Sequence, residues 1–261
     1  MSSLAEIYRR DGIVQVPQLL EDAEIERVRS VFMDQVAADH SLAIDDGVPD
    51  DDPLARFPRF VHPHRRTDVE AGQLSLELML DSRILDVVTA LIGPALGAQS
   101  MFYFKPPGAR GQALHQDNTF LRADPETCLA AWIAVDDVDA ENGGLAVVPG
   151  SHTTELVCPE PADLTESFTN AEVPVPDGLA RVQTRMKAGD VLFFHGSVVH
   201  GSRPNTSADR FRRSLIFHYI PEASTEIAAF YNPLVRPDRR STTLSEAIGG
   251  GPCGDYAKAE P

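Results

Sequence analysis

Positive charge is scarce in this chain. Its 261 residues hold 23 Lys and Arg against 39 Asp and Glu, a formal net charge of −16. Such a surface repels phosphate backbones and anionic headgroups, which argues against nucleic acid or a charged membrane as a partner. Long apolar runs are also missing, and none approaches the roughly 20 residues that cross a bilayer. The three cysteines (Cys128, Cys158, Cys253) are odd in number and lack a Cys-x-x-Cys spacing; reduced, structurally minor thiols are expected. Residues 1–10 carry charges where a secretory leader needs an apolar core, so the expected compartment is the cytoplasm. There is no internal repeat. What remains is an ordinary globular composition, 43% hydrophobic and 24% charged, long enough for one sizeable core or two small ones.

Helical signals gather in the first third. Residues 3–10 read as an opening helix, turned by Asp11-Gly12 into a short strand over 13–17. Over 21–38, Ile25, Val28, Phe32 and Val36 recur at spacings of three and four, the pattern of an amphipathic helix. A second such helix, over 81–92, buries Ile84, Leu85, Val88, Leu91 and Ile92 and ends at Gly93-Pro94. Between them, residues 44–66 read as a loop and as the best candidate for a mobile lid, with His62, His64, Arg65 and Arg66 at the surface. Its acidic run lacks the carboxylate spacing of a calcium loop.

From there the pattern changes. Segments 98–105, 129–135, 144–148, 191–194 and 214–219 are rich in β-branched or aromatic residues and separated by turns. This predicts a mainly β fold, a sandwich or barrel with helices on one face. No linker interrupts it, so residues 1–248 read as one domain and the polar, Gly-rich stretch 249–261 as a frayed tail.

His115-Gln116-Asp117 and the distant His200 are the residues with chemistry to offer. Two imidazoles and a carboxylate cover one face of a ferrous ion and leave the other open. On a strand or strand end, side chains alternate, so His115 and Asp117 would share a face while Gln116 points away. His200 follows the apolar run Val191–Phe194. His195, five residues earlier, competes with it, and only one of the two is expected in the site. Alone, a His-x-Asp triplet is common by chance.

The surrounding residues add weight. Phe104–Gly108 through His115–Asn118, Trp132–Asp137, Glu141–Leu145, Pro149–His152, Gly189–His195 and His200–Ser207 resemble, in order and spacing, the phytanoyl-CoA dioxygenase (PhyH) family of iron(II)/2-oxoglutarate enzymes. The resemblance implies a double-stranded β-helix (a cupin-like jelly roll) buttressed by N-terminal helices. It implies Fe(II) held by His115, Asp117 and His200, with 2-oxoglutarate and O2 as cosubstrates. An arginine on a late strand would pair the distal carboxylate of 2-oxoglutarate, since its planar fork matches a carboxylate. Arg210, Arg212 and Arg213 are candidates; aligning Phe211-Arg212 with the family's aromatic-arginine step selects Arg212, with Arg213 one residue away as the alternative. Met101, Trp132 and Ser202 fall where the family contacts 2-oxoglutarate, although core packing accounts equally well for a strand tryptophan. His152 is expected to be structural, and His218 internal.

Because Asp117 is retained, hydroxylation or a related oxidation is favoured over halogenation. A small-molecule metabolite is the expected substrate. An acyl-CoA of the phytanoyl type is the alternative, with Arg65 and Arg66 near its phosphates. A non-oxidative metal-binding jelly roll such as an isomerase, or an inactive binding module, are readings from other classes.

Overall fold

The computed structural model describes residues 2–44 and 48–248; the tail expected over 249–261 lies outside them. Four helices precede the main strands: α1 (Ser2–Asp11), α2 (Asp22–Ala38), α3 (Glu70–Met79) and α4 (Ser82–Ile92). The start of α2 is fixed by a reciprocal capping box between Glu21 and Glu24. That of α4 is fixed by the Asp81 carboxylate, which accepts from Arg83 N. The sequence pattern did not reveal α3. Gly72, a poor helix residue, stands inside it because a Cβ there would come 1.9 Å from Arg66 O.

The strands of the two larger sheets are β1 (Ile13–Val16), β2 (Phe60–Val61), β3 (Ala95–Tyr103), β4 (Gln112–His115), β5 (Leu129–Ala134), β6 (Leu145–Val147), β7 (Val182–Gln183), β8 (Val191–His195), β9 (His200–Ser202), β10 (Ser214–Pro221), β11 (Leu234–Val235) and β12 (Ser241–Thr242). They form a large sheet in the order β1-β8-β5-β10-β3-β11-β12, with β2 beside β3, and a small sheet in the order β4-β9-β6-β7. The protein is thus mainly β with helices on one side.

Alternation along the large sheet decides which core each residue joins. Phe102, Phe193, Phe217 and Tyr219 point to the helices and pack with Phe32 of α2, whose ring stacks on Phe102 at 3.9 Å. Trp132, Leu192, Phe194 and Ile216 point the other way and meet Leu145 and Val147 of the small sheet. Both faces of the large sheet's central strands are therefore buried, and β5 and β8 read as continuous apolar runs.

Two expectations change. Of the expected loop over 44–66, residues 45–47 lie outside the described residues, and 48–66 are not simply a surface loop: a helical turn (Pro53–Arg56), β2 and a 3-10 turn (Pro63–Arg65) organise them. His62 and His64 are buried, and the His64 Nδ1 lies 2.6 Å from Ser100 Oγ. Pairing of β2 with the edge of β3 draws the two histidines inward. Among the cysteines, Cys128 is a buried free thiol, whereas Cys158 is disulfide-bonded, not reduced. No helix among the described residues is long and apolar enough to cross a membrane.

Candidate metal centre

His115 ends β4 and His200 begins β9, and the antiparallel register sets them directly opposite each other. Their rings lie 4.2 Å apart between centroids. Asp117 joins them by a route the alternation argument did not foresee. The strand stops at His115, and Asp117 takes helical dihedrals (φ −62°, ψ −33°) at the head of the one-turn helix Asn118–Leu121. That turn brings its Oδ1 within 3.6 Å of both His115 Nε2 and His200 Nε2. Gln116 does point away: its amide donates to Ser197 O and accepts from Val157 N, at 2.8 and 2.9 Å.

The protonation pattern suits a cation. His115 Nδ1 sits 2.9 Å from Ala113 O, and His200 Nδ1 sits 2.9 Å from Val198 O. Carbonyl oxygens only accept, so both Nδ1 atoms carry the proton and both Nε2 atoms present lone pairs. Burial, reinforced by His200, pushes the His115 imidazole down to about 4, leaving it neutral at pH 7. Burial alone would raise the Asp117 carboxyl, but His200 and His218 outweigh it and hold the group below the usual carboxylate range. Three lone-pair donors therefore converge, with ligand atoms all within 4.8 Å of one another. The donor set, N2O with no proton between its members, fits a divalent transition metal. His218 completes the arrangement: its Nε2 lies 3.1 Å from Asp117 Oδ2, which turns Oδ1 toward the two histidines.

His195 stays outside. Its Nδ1 accepts from Ser197 N, and its ring faces Tyr8 and His152. The His152 Nε2 meets Arg9 O at 3.2 Å, a structural contact.

The triad lines a cavity of about 250 Å³ that also contains Met101, Trp132, Ser202 and Arg212. Arg212 is 4% exposed and has no carboxylate within ion-pair distance among the described residues. Its Nη1 donates to Ser214 Oγ (2.9 Å), its Nε to Gly143 O (3.2 Å), and its guanidinium carbon is 5.6 Å from the centre of the Trp132 ring. Burial lowers it to about 10, so it stays charged at pH 7. Arg213, by contrast, grips Asp136 through two nitrogens at 2.7 and 2.8 Å, and Arg210 pairs with Asp139 and Glu141. Of the three candidates, Arg212 is the one that reaches the cavity.

Sequence reasoning missed Lys105. It is 3% exposed, and its ammonium donates to Gly143 O, Ser202 Oγ and Arg203 O. Burial pushes it well below its ordinary range, and Arg212 adds to the effect. Ser202 Oγ accepts from Lys105 Nζ (2.8 Å) and from Gln112 N (3.2 Å), so its own proton is the one it can offer to a ligand. Gln112 was also missed, although its Nε2 lies 3.2 Å from His115 Nε2. Neither has a motif of its own; only the positive φ of Lys105 (34°), unusual for a non-glycine residue, marks the bend, and it is a property of the fold.

The phytanoyl-CoA dioxygenase (PhyH) family model matches residues 8–214, and the chain belongs to that family. The rice (Oryza sativa subsp. japonica) protein "Phytanoyl-CoA dioxygenase 1" is 36% identical over 129 residues, 49% of this chain and 46% of the rice protein. The chain thus spans about half the length of this curated relative. Among solved structures, SnoK, a "non-heme alpha ketoglutarate dependent carbocyclase" from nogalamycin biosynthesis, superposes with a TM-score of 0.69 at 26% identity, covering 86% of each chain. SnoN, an "alpha ketoglutarate dependent epimerase" from nogalamycin biosynthesis, gives 0.70 at 23% identity over 95% of each chain, a likeness of fold.

Proposed function

We propose that this chain is an iron(II)/2-oxoglutarate-dependent oxygenase that oxidises an unactivated C–H bond of a small-molecule metabolite, with 2-oxoglutarate converted to succinate and CO2. One observation carries the reading: His115, Asp117 and His200 converge in the same cavity as Arg212, a buried cation with no anionic partner among the described residues. A guanidinium so enclosed calls for a carboxylate. SnoN has been solved with Fe3+ and alpha-ketoglutarate bound, in keeping with this assignment.

On this reading residues 1–248 form one domain, and the two facing sheets are the halves of a jelly roll. Iron with 2-oxoglutarate and O2 supplies the oxidising power when bound. The chain's part is to hold and orient. The two Nδ1–H···O=C bonds fix the imidazole rings, and His218 fixes the carboxylate. Arg212 and the Ser202 hydroxyl take the distal carboxylate of 2-oxoglutarate, while Met101 and Trp132 flank it. Lys105 anchors Ser202 and the Gly143 carbonyl, so the anion site stays in place before ligand arrives.

A small metabolite suits the cavity better than an acyl-CoA. Arg65 donates to Tyr231 O and Arg66 chelates Asp68, so neither stands ready for CoA phosphates. The solved relatives' names also favour keeping ring closure and epimerisation beside hydroxylation as outcomes. The test is succinate formation with ferrous iron and 2-oxoglutarate across a substrate panel. Succinate that rises in step with substrate consumption supports the oxygenase; substrate conversion without succinate would instead mean a non-oxidative isomerase, and failure to bind ferrous iron an inactive module.

A further inference from the structure

Two polar side chains in the cavity have no part in that account. Gln99 on β3 and Tyr231, at the end of the 3-10 turn Ala229–Tyr231, are each 6% exposed and line the cavity. Neither the Gln99 amide nor the Tyr231 hydroxyl has a hydrogen-bond partner among the described residues. Both residues line the cavity, so their hydrogen-bonding groups are open to whatever occupies it.

Both lie at the far end from Arg212: β11, which follows Tyr231, pairs with β3 at Gly97, and the Tyr231 ring is 6.2 Å from that of His62, whose N–H donates to Ser100 O. Strand register sets Gln99 beside His218, the residue bonded to Asp117, and sets Tyr103 beside Ser214, the residue bonded to Arg212. Gln99 and Tyr103 are separated by roughly 13 Å of strand. The anion end and the Gln99–Tyr231 end therefore flank the metal-ligand triad. Between them the wall is apolar: Met101, Ile216 and Leu121, with Phe120 at the mouth, 54% exposed, its ring 6.2 Å from that of His115. The other arginine of the cavity, Arg59, packs over the rings of Tyr103 and Phe168 at 5.8 and 4.7 Å, on the Arg212 side. No lysine or arginine side chain among the cavity-lining residues stands with Gln99 and Tyr231.

We infer that Gln99 and Tyr231 form the recognition end of a substrate subsite that takes a hydroxyl or carbonyl oxygen of a neutral, mainly hydrocarbon molecule, whose carbon frame rests on Phe120 and Leu121. A ketone or alcohol oxygen accepts from both the amide and the phenol. A carboxylate would be buried beside Asp117 with no lysine or arginine of the cavity lining at that end to pair it, Arg65 being engaged by the Tyr231 carbonyl behind the wall, and an ammonium would lack an acidic partner other than a metal ligand. The inference rests on the oxygenase reading and names its substrate class.

The full chain, loaded with zinc in place of iron and with 2-oxoglutarate, is titrated with cyclohexanone, cyclohexanol, cyclohexanecarboxylate and cyclohexylamine, binding being read by saturation-transfer NMR. The two neutral probes should bind at least about tenfold more tightly than either charged one, and Gln99→Leu or Tyr231→Phe should each weaken cyclohexanone by about fivefold or more. Trp132, the single tryptophan of the chain, reports 2-oxoglutarate binding independently through its fluorescence, because it flanks Arg212. Its response should persist in both variants, which also shows that they fold. No response in the wild-type protein overturns the oxygenase reading and this inference with it. An intact response with a charged probe preferred, no probe bound, or both variants binding cyclohexanone normally overturns the subsite alone.

Discussion

In the large sheet, β5 is buried along its whole length and β10 along all but its last residue. The strands of the small sheet are two to four residues long, yet they carry His115, His200 and Ser202. The large sheet has helices on one face and the small sheet on the other, so the side chains of its central strands pack on both sides. The small sheet gives up length, and with it packing, to set polar side chains at the cavity. The metal-binding histidines and most of the cohesion thus fall on opposite walls of one cavity, joined by His218, which reaches from β10 to Asp117.

The sharpest way to break this comparison is to strike the small-sheet side. Asp117→Ala or His115→Ala should abolish substrate-dependent succinate formation while leaving the far-ultraviolet circular dichroism unchanged. Substantial turnover in either variant would refute the metal assignment. The complementary blow is Phe217→Ala on the helix-facing side of β10. Deleting this fully buried ring should cost about 3–5 kcal/mol in denaturant unfolding. A cost below about 1 kcal/mol would show that the large sheet is not the main source of cohesion.

Neighbouring arginines sharpen the contrast within a single step of chain. Arg212→Leu should raise the 2-oxoglutarate requirement on the order of a hundredfold, the loss of a paired, charge-assisted contact. Arg213→Leu should leave that requirement unchanged and lower stability by about 1–3 kcal/mol, since Asp136 then loses its two-pronged partner. If the two effects exchange places, the anion site has been assigned to the wrong residue.

These contrasts also explain what could be read from residues alone. Central large-sheet strands announce themselves because burial on both faces demands unbroken apolar runs. The triplet at 115–117 is visible as chemistry, but its geometry only in part: a strand or strand end was expected to set both ligands on one face by alternation, and a strand end followed by a helical turn brings them together instead. β4 and β9 are too short, and too polar, for a strand pattern to register. Gly72 hides α3 because close approach to Arg66 overrides helix propensity. The inward turn of His62 and His64 depends on β2 pairing with β3, a contact between distant segments. Arg212 and Arg213 look alike in sequence, and only the direction each side chain takes separates them.

The smallest effect expected is at His218, and it tests whether the two walls are coupled. His218 donates from Nε2 to Asp117 Oδ2, while its Nδ1 is buried without a hydrogen-bond partner among the described residues. The side chain therefore contributes one directed hydrogen bond to the carboxylate and nothing else polar. Removing such an outer contact costs metal affinity roughly 10- to 100-fold in comparable sites. His218→Leu should weaken manganese binding, followed by electron paramagnetic resonance, within that range. His218→Gln, which keeps an N–H donor, should recover part of the loss. A purely structural role predicts a different result: both variants would lower the unfolding midpoint alike, with no difference in metal affinity between them. The large sheet would then support the metal centre only by its bulk, not by orienting the carboxylate.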